Sequence, residues 1–228
     1  MPVRAKELSR IGQAVARIMA ESKRTAPHFY ATMEIDMSRA ASLREELNPT
    51  LSDEEKLSFN DFVMKAVALA LKKLPGMNAS FGEGKLNLYQ QVNVAMAVAL
   101  EEGLITPVIR ECDRKPLVEI ARDTKRLSAH AREGKLRQEE YSGGTFTVSN
   151  LGMFGVEEFA AIINPPQAGI LAVGAVAPRP VVRDGALAIA QTMKATISVD
   201  HRVVNGADAA RFLLEVKELL ENPARLLL

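Results

Sequence analysis

Helical and strand-like segments follow one another along this chain without the regular strand–helix–strand alternation of a parallel sheet, and that irregular order limits the fold more than any other feature. Residues 9–24, SRIGQAVARIMAESKR, set Ile11, Val15, Ile18 and Met19 at helical spacing. Pro27 stops that helix, and HFYATMEIDMS then alternates as a strand. A short helix, RAASLREEL, follows. Ser52 and Glu55 are read as a capping box that opens the strongest helix, DEEKLSFNDFVMKAVALALKKL, which Pro75-Gly76 ends.

The segment 86–112, rich in aliphatic and β-branched residues and broken by Glu-Glu-Gly, is expected to form two largely buried strands. Residues 115–133 are expected to be helical, with Leu117, Ile120, Ala121, Thr124 and Leu127 on one face. Gly143-Gly144 introduces a strand, TFTVS, and then a glycine-broken loop, NLGMFG. Asp184-Gly185 between apolar runs predicts a tight hairpin that needs positive φ. KATISVDHRVV is the last predicted strand and ADAARFLLEVKELLEN the last helix. With no repeat, long linker or low-complexity stretch, the pattern predicts one α/β sandwich-like domain, residues 1–228, around a mixed sheet.

Lys and Arg total 29 against 28 Asp and Glu, so no bulk charge draws the chain to nucleic acid or an anionic membrane. Aromatic residues are too few for base-stacking platforms, and no stretch approaches the ~20 apolar residues of a membrane span. The opening MPVRAKELSRIGQAVARIM has no continuous apolar region, so no secretory signal is expected there. A single cysteine, Cys112, excludes an internal disulfide and any multi-cysteine metal site. Neither CxxC nor HxxxH occurs, so no metal is expected. There is no GxSxG elbow, and the glycines of FGEGK read as a turn rather than a phosphate loop.

Three histidines remain. His130 is expected on the solvated surface and His28 in a structural role at a strand start. His201 stands between Asp200 and Arg202 at a strand end, four residues before Asn205-Gly206, where a turn can bring two polar side chains together. Spacing alone leaves a structural and a catalytic role open.

DHRVVNGA (200–207) resembles the signature of the catalytic domain of dihydrolipoamide acyltransferases, the core subunits of 2-oxo acid dehydrogenase complexes. The resemblance extends through SKRTAPHFYATMEIDMS (22–38), VNVAMAVALEEGLITPVIR (92–110), GGTFTVSNLGMFGVEEFAAIINPPQAGILAVG (143–174) and the closing ENPARLLL. It implies the coenzyme A-dependent, chloramphenicol acetyltransferase-like fold and trimers whose active sites lie between subunits. It also implies acyl transfer between S-acyl-dihydrolipoyl groups and coenzyme A. NLGMFG with INPPQAGILAVG looks most like the acetyl-transferring type of pyruvate dehydrogenase.

By this resemblance His201 is the base that takes a thiol proton, a task suited to an imidazole near its reference pKa of ~6.5. Ser149, matched in TFTVSN, is the oxyanion donor, or else a serine capping the following turn. Asn205 stands where many members carry aspartate, so it is expected to position rather than to exchange protons; it also fits an Asn-Gly turn residue with positive φ. Arg44 is expected to contact a coenzyme A phosphate and Phe159 to wall the pantetheine arm, although solvated-face and core roles fit them too. GLITPV (103–108) either lines the channel or is a buried strand, and Leu226–Leu228 either dock on a neighbouring trimer or pack internally.

The implied partners are trimer mates in a larger cubic or dodecahedral core, lipoyl domains, and the 2-oxo acid decarboxylase and dihydrolipoamide dehydrogenase subunits. Lipoyl and peripheral-subunit-binding segments are not found among these residues. The implied location is the bacterial cytoplasm, or the mitochondrial matrix for a eukaryotic chain. A non-catalytic core subunit and a stand-alone small-molecule acetyltransferase remain alternatives.

Overall fold

The computed structural model describes every residue except Glu101 and Glu102, and every side chain except theirs and those of Arg10 and Ile11. The chain opens with α1 (Arg10–Thr25), β1 (His28–Asp36) and α2 (Ser38–Leu47). It continues through α3 (Phe59–Lys73), β2 (Ala79–Gly82) and β3 (Lys85–Leu88). Four short strands follow: β4 (Val94–Met96), β5 (Val98–Leu100), β6 (Gly103–Ile105) and β7 (Val108–Ile109). After α4 (Leu117–Arg132) and α5 (Gln138–Tyr141) come β8 (Phe146–Asn150), β9 (Gly169–Val173), β10 (Ala177–Arg183), β11 (Ala186–Asp200) and α6 (Gly206–Glu221).

The main sheet runs β1-β11-β9-β8-β4-β7, with β10 added to the first half of β11. β8 lies parallel to β4 and β9, and the other pairs are antiparallel, so the sheet is mixed as expected. Strand alternation gives it two unlike faces. Phe146, Val148, Leu171, Val173, Ala195 and Ile197 join the apolar core, with the buried faces of α3, α4 and α6. Thr147, Ser149, Thr196 and Ser198 alternate with them and lie on the opposite, hydroxyl-rich face.

An irregular strap, residues 156–168, is tied across that second face. Ser198 Oγ donates to Ala161 O at 2.7 Å and Ser22 Oγ to Ile163 O at 2.6 Å. Lys194 pairs with Glu157 at 2.8 Å. The His28 ring is spent on backbone, its Nε2 accepting from Ile163 N–H at 3.1 Å and its Nδ1 facing Ala26 O at 2.8 Å. The strap lies so close at the break between β9 and β10 that a Cβ on Gly174 would sit 2.0 Å from Glu157 O. Only glycine admits that approach.

Several expectations change. α3 begins at Phe59, capped by Ser58 and Asp61; Ser52 and Glu55 bond each other in a turn before it. The helix cannot start earlier because buried Leu57 spends its N–H on Asn48 Oδ1 and its carbonyl on Arg44 and Asn48. Asp61 also accepts from Thr124 Oγ1 at 2.6 Å, fastening α4 to α3. The segment 86–112 is not two strands: β4 and β7 enter the main sheet, whereas β5 and β6 form a separate hairpin; its Glu-Glu lies outside the described residues. The two predicted C-terminal strands are one, since β11 runs unbroken from the Asp184-Gly185 turn to Asp200. That turn has the positive φ expected of it, +51° and +79°. The apolar side of α1 is not core: Val15 and Met19 are half-buried and Ile18 is exposed. His130 is half-buried rather than solvated, and its Nδ1 has no partner among the described residues. At the C-terminus Leu226 packs into the core while Leu227 and Leu228 are exposed.

Candidate active site

β8 delivers Ser149 and β11 delivers His201. Val148 turns into the core, so its neighbour Ser149 must face the other way. There it is half-buried on the wall of a cleft of about 640 Å³. Apolar walls come from Met96, Val98 and Leu104, and Lys125 and Arg132 bring positive charge. Met153 and Phe154, in the turn after β8, line the same cleft and are largely exposed. Asn150 fixes the turn by accepting from Gly152 N–H at 2.8 Å and donating to Asn60 at 3.3 Å. GLITPV thus reaches the cleft through Leu104, while Val108 is buried in the sheet. A larger cavity, about 820 Å³, carries Arg39, Arg183 and Glu221 but neither the serine nor the histidine.

His201 follows the last residue of β11. Its backbone N–H donates to Pro27 O at 2.9 Å, and its exposed ring makes a T-shaped contact with Phe29, centroids 5.4 Å apart. Asn205 begins α6: its side chain accepts from Asp208 N–H at 2.9 Å. The expected positive-φ turn is not what the residue does, because its φ is −83°, the extended backbone of an N-cap. Asn205→Ala is expected to cost about 1 kcal/mol of stability and Asn205→Asp almost none, read by chemical denaturation.

The register separates the serine from the histidine. Ser149 is level with Ala172, and Ala172 with Thr196. His201 lies five residues beyond Thr196, toward the opposite end of the sheet. At strand dimensions that is roughly 16 Å along β11 and about 10 Å across two ladders. One copy of the chain therefore holds the serine cleft and the histidine apart. Arg44 and Phe159 line neither. Arg44 Nε donates to Leu57 O at 3.1 Å and its guanidinium lies 5.0 Å from the Phe59 ring centre; Phe159 is half-buried in the strap. The one thiol is no nucleophile: Cys112 is fully buried, and burial pushes its pKa up to about 12.

Sequence reasoning did not single out Phe29, nor the cleft residues Asn60, Lys125 and Arg132, since nothing local in the sequence marks residues that converge from separate elements. Asp200 and Arg202 were legible as charges two apart around His201, and that spacing is the signal their pairing needed.

The fold is that of the chloramphenicol acetyltransferase type, one solved example of which superposes with a TM-score of 0.57 at 13% identity, covering 90% of this chain and 94% of that one. The chain belongs to the family of 2-oxoacid dehydrogenases acyltransferase (catalytic domain), whose model matches residues 2–228. It is 44% identical over 220 residues to the dihydrolipoyllysine-residue acetyltransferase component of pyruvate dehydrogenase complex of Rickettsia bellii, covering 96% of this chain and 53% of that protein. A mitochondrial counterpart from Schizosaccharomyces pombe is 47% identical, covering 97% and 46%. The chain thus spans about half the length of these relatives. Among solved structures, the cubic core of the pyruvate dehydrogenase multienzyme complex aligns at a TM-score of 0.95 and 31% identity, covering 100% of this chain and 95% of that one. The Azotobacter vinelandii dihydrolipoamide acetyltransferase, investigated for the role of a serine, a histidine and an asparagine in its catalytic mechanism, aligns at 0.94 and 31%, with the same coverage. No helix among the described residues is long and apolar enough to cross a membrane.

Proposed function

We propose that this chain transfers an acetyl group between S-acetyl-dihydrolipoyl groups and coenzyme A, at a site completed by a second copy. One observation carries the reading. The serine, histidine and asparagine investigated in the Azotobacter enzyme are separated by 52 and 4 positions, and Ser149, His201 and Asn205 keep both intervals. The names of the relatives support the acetyl group, and the separation of the serine cleft from the histidine supports the second copy.

In this reading His201 takes the proton of the attacking thiol as its sulfur bonds to the thioester carbonyl carbon. Ser149 Oγ–H donates to the oxyanion that forms. When the carbon–sulfur bond of the leaving thiolate breaks, the His201 imidazolium returns a proton to it, so neither protons nor electrons are left over. The apolar walls of the serine cleft suit a pantetheine arm and exclude water, and Lys125 and Arg132 suit phosphate oxygens. Arg44 remains a proposed phosphate contact, Phe159 a proposed wall, and Asn205 a positioner acting from the cap of α6. Trimers, a larger core, lipoyl domains and the decarboxylase and dehydrogenase subunits are the proposed partners, in bacterial cytoplasm or mitochondrial matrix.

The test is acetyl transfer from acetyl-coenzyme A to free dihydrolipoamide by this chain, with light scattering to size the assembly. Turnover by an oligomer is the expected result. An assembled chain without turnover would leave a purely structural core subunit as the better reading.

A further inference from the structure

The His201 side chain is exposed and makes no hydrogen bond of its own among the described residues, yet the turn around it is bonded at every step. Asp200, its carboxylate nearly buried, receives four contacts from one residue. Arg202 N–H and Nε reach Oδ1, both at 3.0 Å, while Nε and Nη2 reach Oδ2 at 3.2 and 2.7 Å. The Asp200 carbonyl accepts from Val203 N–H at 2.9 Å and Val204 N–H at 3.0 Å, and its N–H donates to Ala168 O at 2.8 Å. The Arg202 guanidinium in turn lies 4.4 Å from the ring centre of Phe81 on β2. A fork closed on the residue two positions back, and stacked on an aromatic face, fixes the backbone between them.

We propose that Asp200, Arg202 and Phe81 form a clamp that positions His201, acting through the backbone rather than on substrate. The inference rests on the acetyl-transfer reading above. Among the described residues the ring makes no hydrogen bond and meets Phe29 in a T-shaped contact, so its aim must come from the Cα–Cβ direction that the turn imposes. The clamp does this from one side of His201 and the bond to Pro27 from the other. Arginine is required because both prongs and the flat stacking face are used; lysine offers a point charge with neither. The pair is also an isolated unit, since no other cation approaches Asp200 closely enough to form a salt bridge among the described residues.

Arg202→Met and Asp200→Asn, made in the assembled protein, test this. Each is expected to lower kcat ~10- to 100-fold, the scale of a misplaced catalytic group, with KM for both substrates changed by less than about twofold. Amide hydrogen exchange is expected to quicken at residues 201–204 and not in the core strands. Arg202→Lys is expected to resemble Arg202→Met. Three results would overturn the clamp: wild-type kcat in both first variants, wild-type turnover in Arg202→Lys, or unchanged exchange at 201–204. A wild-type chain without transfer activity overturns the reaction reading, and with it the catalytic purpose of the clamp. The exchange arm distinguishes that failure from failure of the clamp itself.

Discussion

Replacing His201 with alanine is expected to slow acetyl transfer by ~10²- to 10⁴-fold, the range for removal of a general base, with fold and assembly intact. The second half of that expectation follows from the surroundings. The ring is exposed and meets Phe29 in a T-shaped contact, so truncation leaves no buried polar group unpaired and no core cavity. The first half follows from the thiol, which at its ordinary pKa of ~8.5 is mostly protonated near neutrality. The same fact supplies a sharper check. Without a base on the enzyme, the variant must rely on solvent to ionise the thiol, so its residual rate should climb as pH rises toward ~8.5 more steeply than the wild-type rate. A variant with wild-type turnover removes His201 from the chemistry. A variant that is slow but follows the wild-type pH profile assigns it to binding instead.

Ser149→Ala is expected to cost ~10²- to 10³-fold in kcat, the loss found for one oxyanion donor. Its more informative use is in mixture. Ser149→Ala and His201→Ala alone are each expected to keep at most about a hundredth of the rate, but if each site joins the serine of one copy to the histidine of another, a mixed oligomer regains intact sites. Random assembly of equal amounts would restore about a quarter of wild-type activity, because half of the copies carry each needed residue and the two choices are independent. A site housed within one chain would regain nothing. Mass spectrometry of the mixture shows whether subunits exchanged, so a mixed but inactive population would refute the shared site.

Local chemistry made much of the fold legible. The apolar stripe of α4 and the Asp184-Gly185 hairpin depend on neighbours a few positions away, and both stand where periodicity and turn geometry put them. The start of α3 was misread because Ser52 and Glu55 do bond each other, as a capping pair should; the decision was made instead by Asn48 and Arg44, which capture the backbone of Leu57 from a different helix and its following turn. The length of β11 was hidden for a similar reason. Its first half reads as a hairpin arm and its second as a buried strand because it has β10 beside one part and β9 beside the other. In the candidate site, the resemblance singles out the residues at 149, 201 and 205, but the distance between Ser149 and His201 is a property of register and could not be read before the strands were paired.

The pairing of β1 with β11 carries a kinetic consequence. His28 lies opposite Asp200, so the ladder beside His201 is closed by the most distant partners in the sheet. Helical contacts such as those of α3 with α4 join nearer segments and can form early, whereas non-local ladders of this kind place folding on the order of milliseconds to seconds. Slipping that ladder by one residue would send Glu34 to the core and Ile35 to solvent, which penalises every odd-numbered slip heavily. The turn that carries His201 is thus anchored to a contact of high sequence separation, its N–H bonded to Pro27 O beside this ladder, so its backbone is set only when segments far apart in the chain have paired in register.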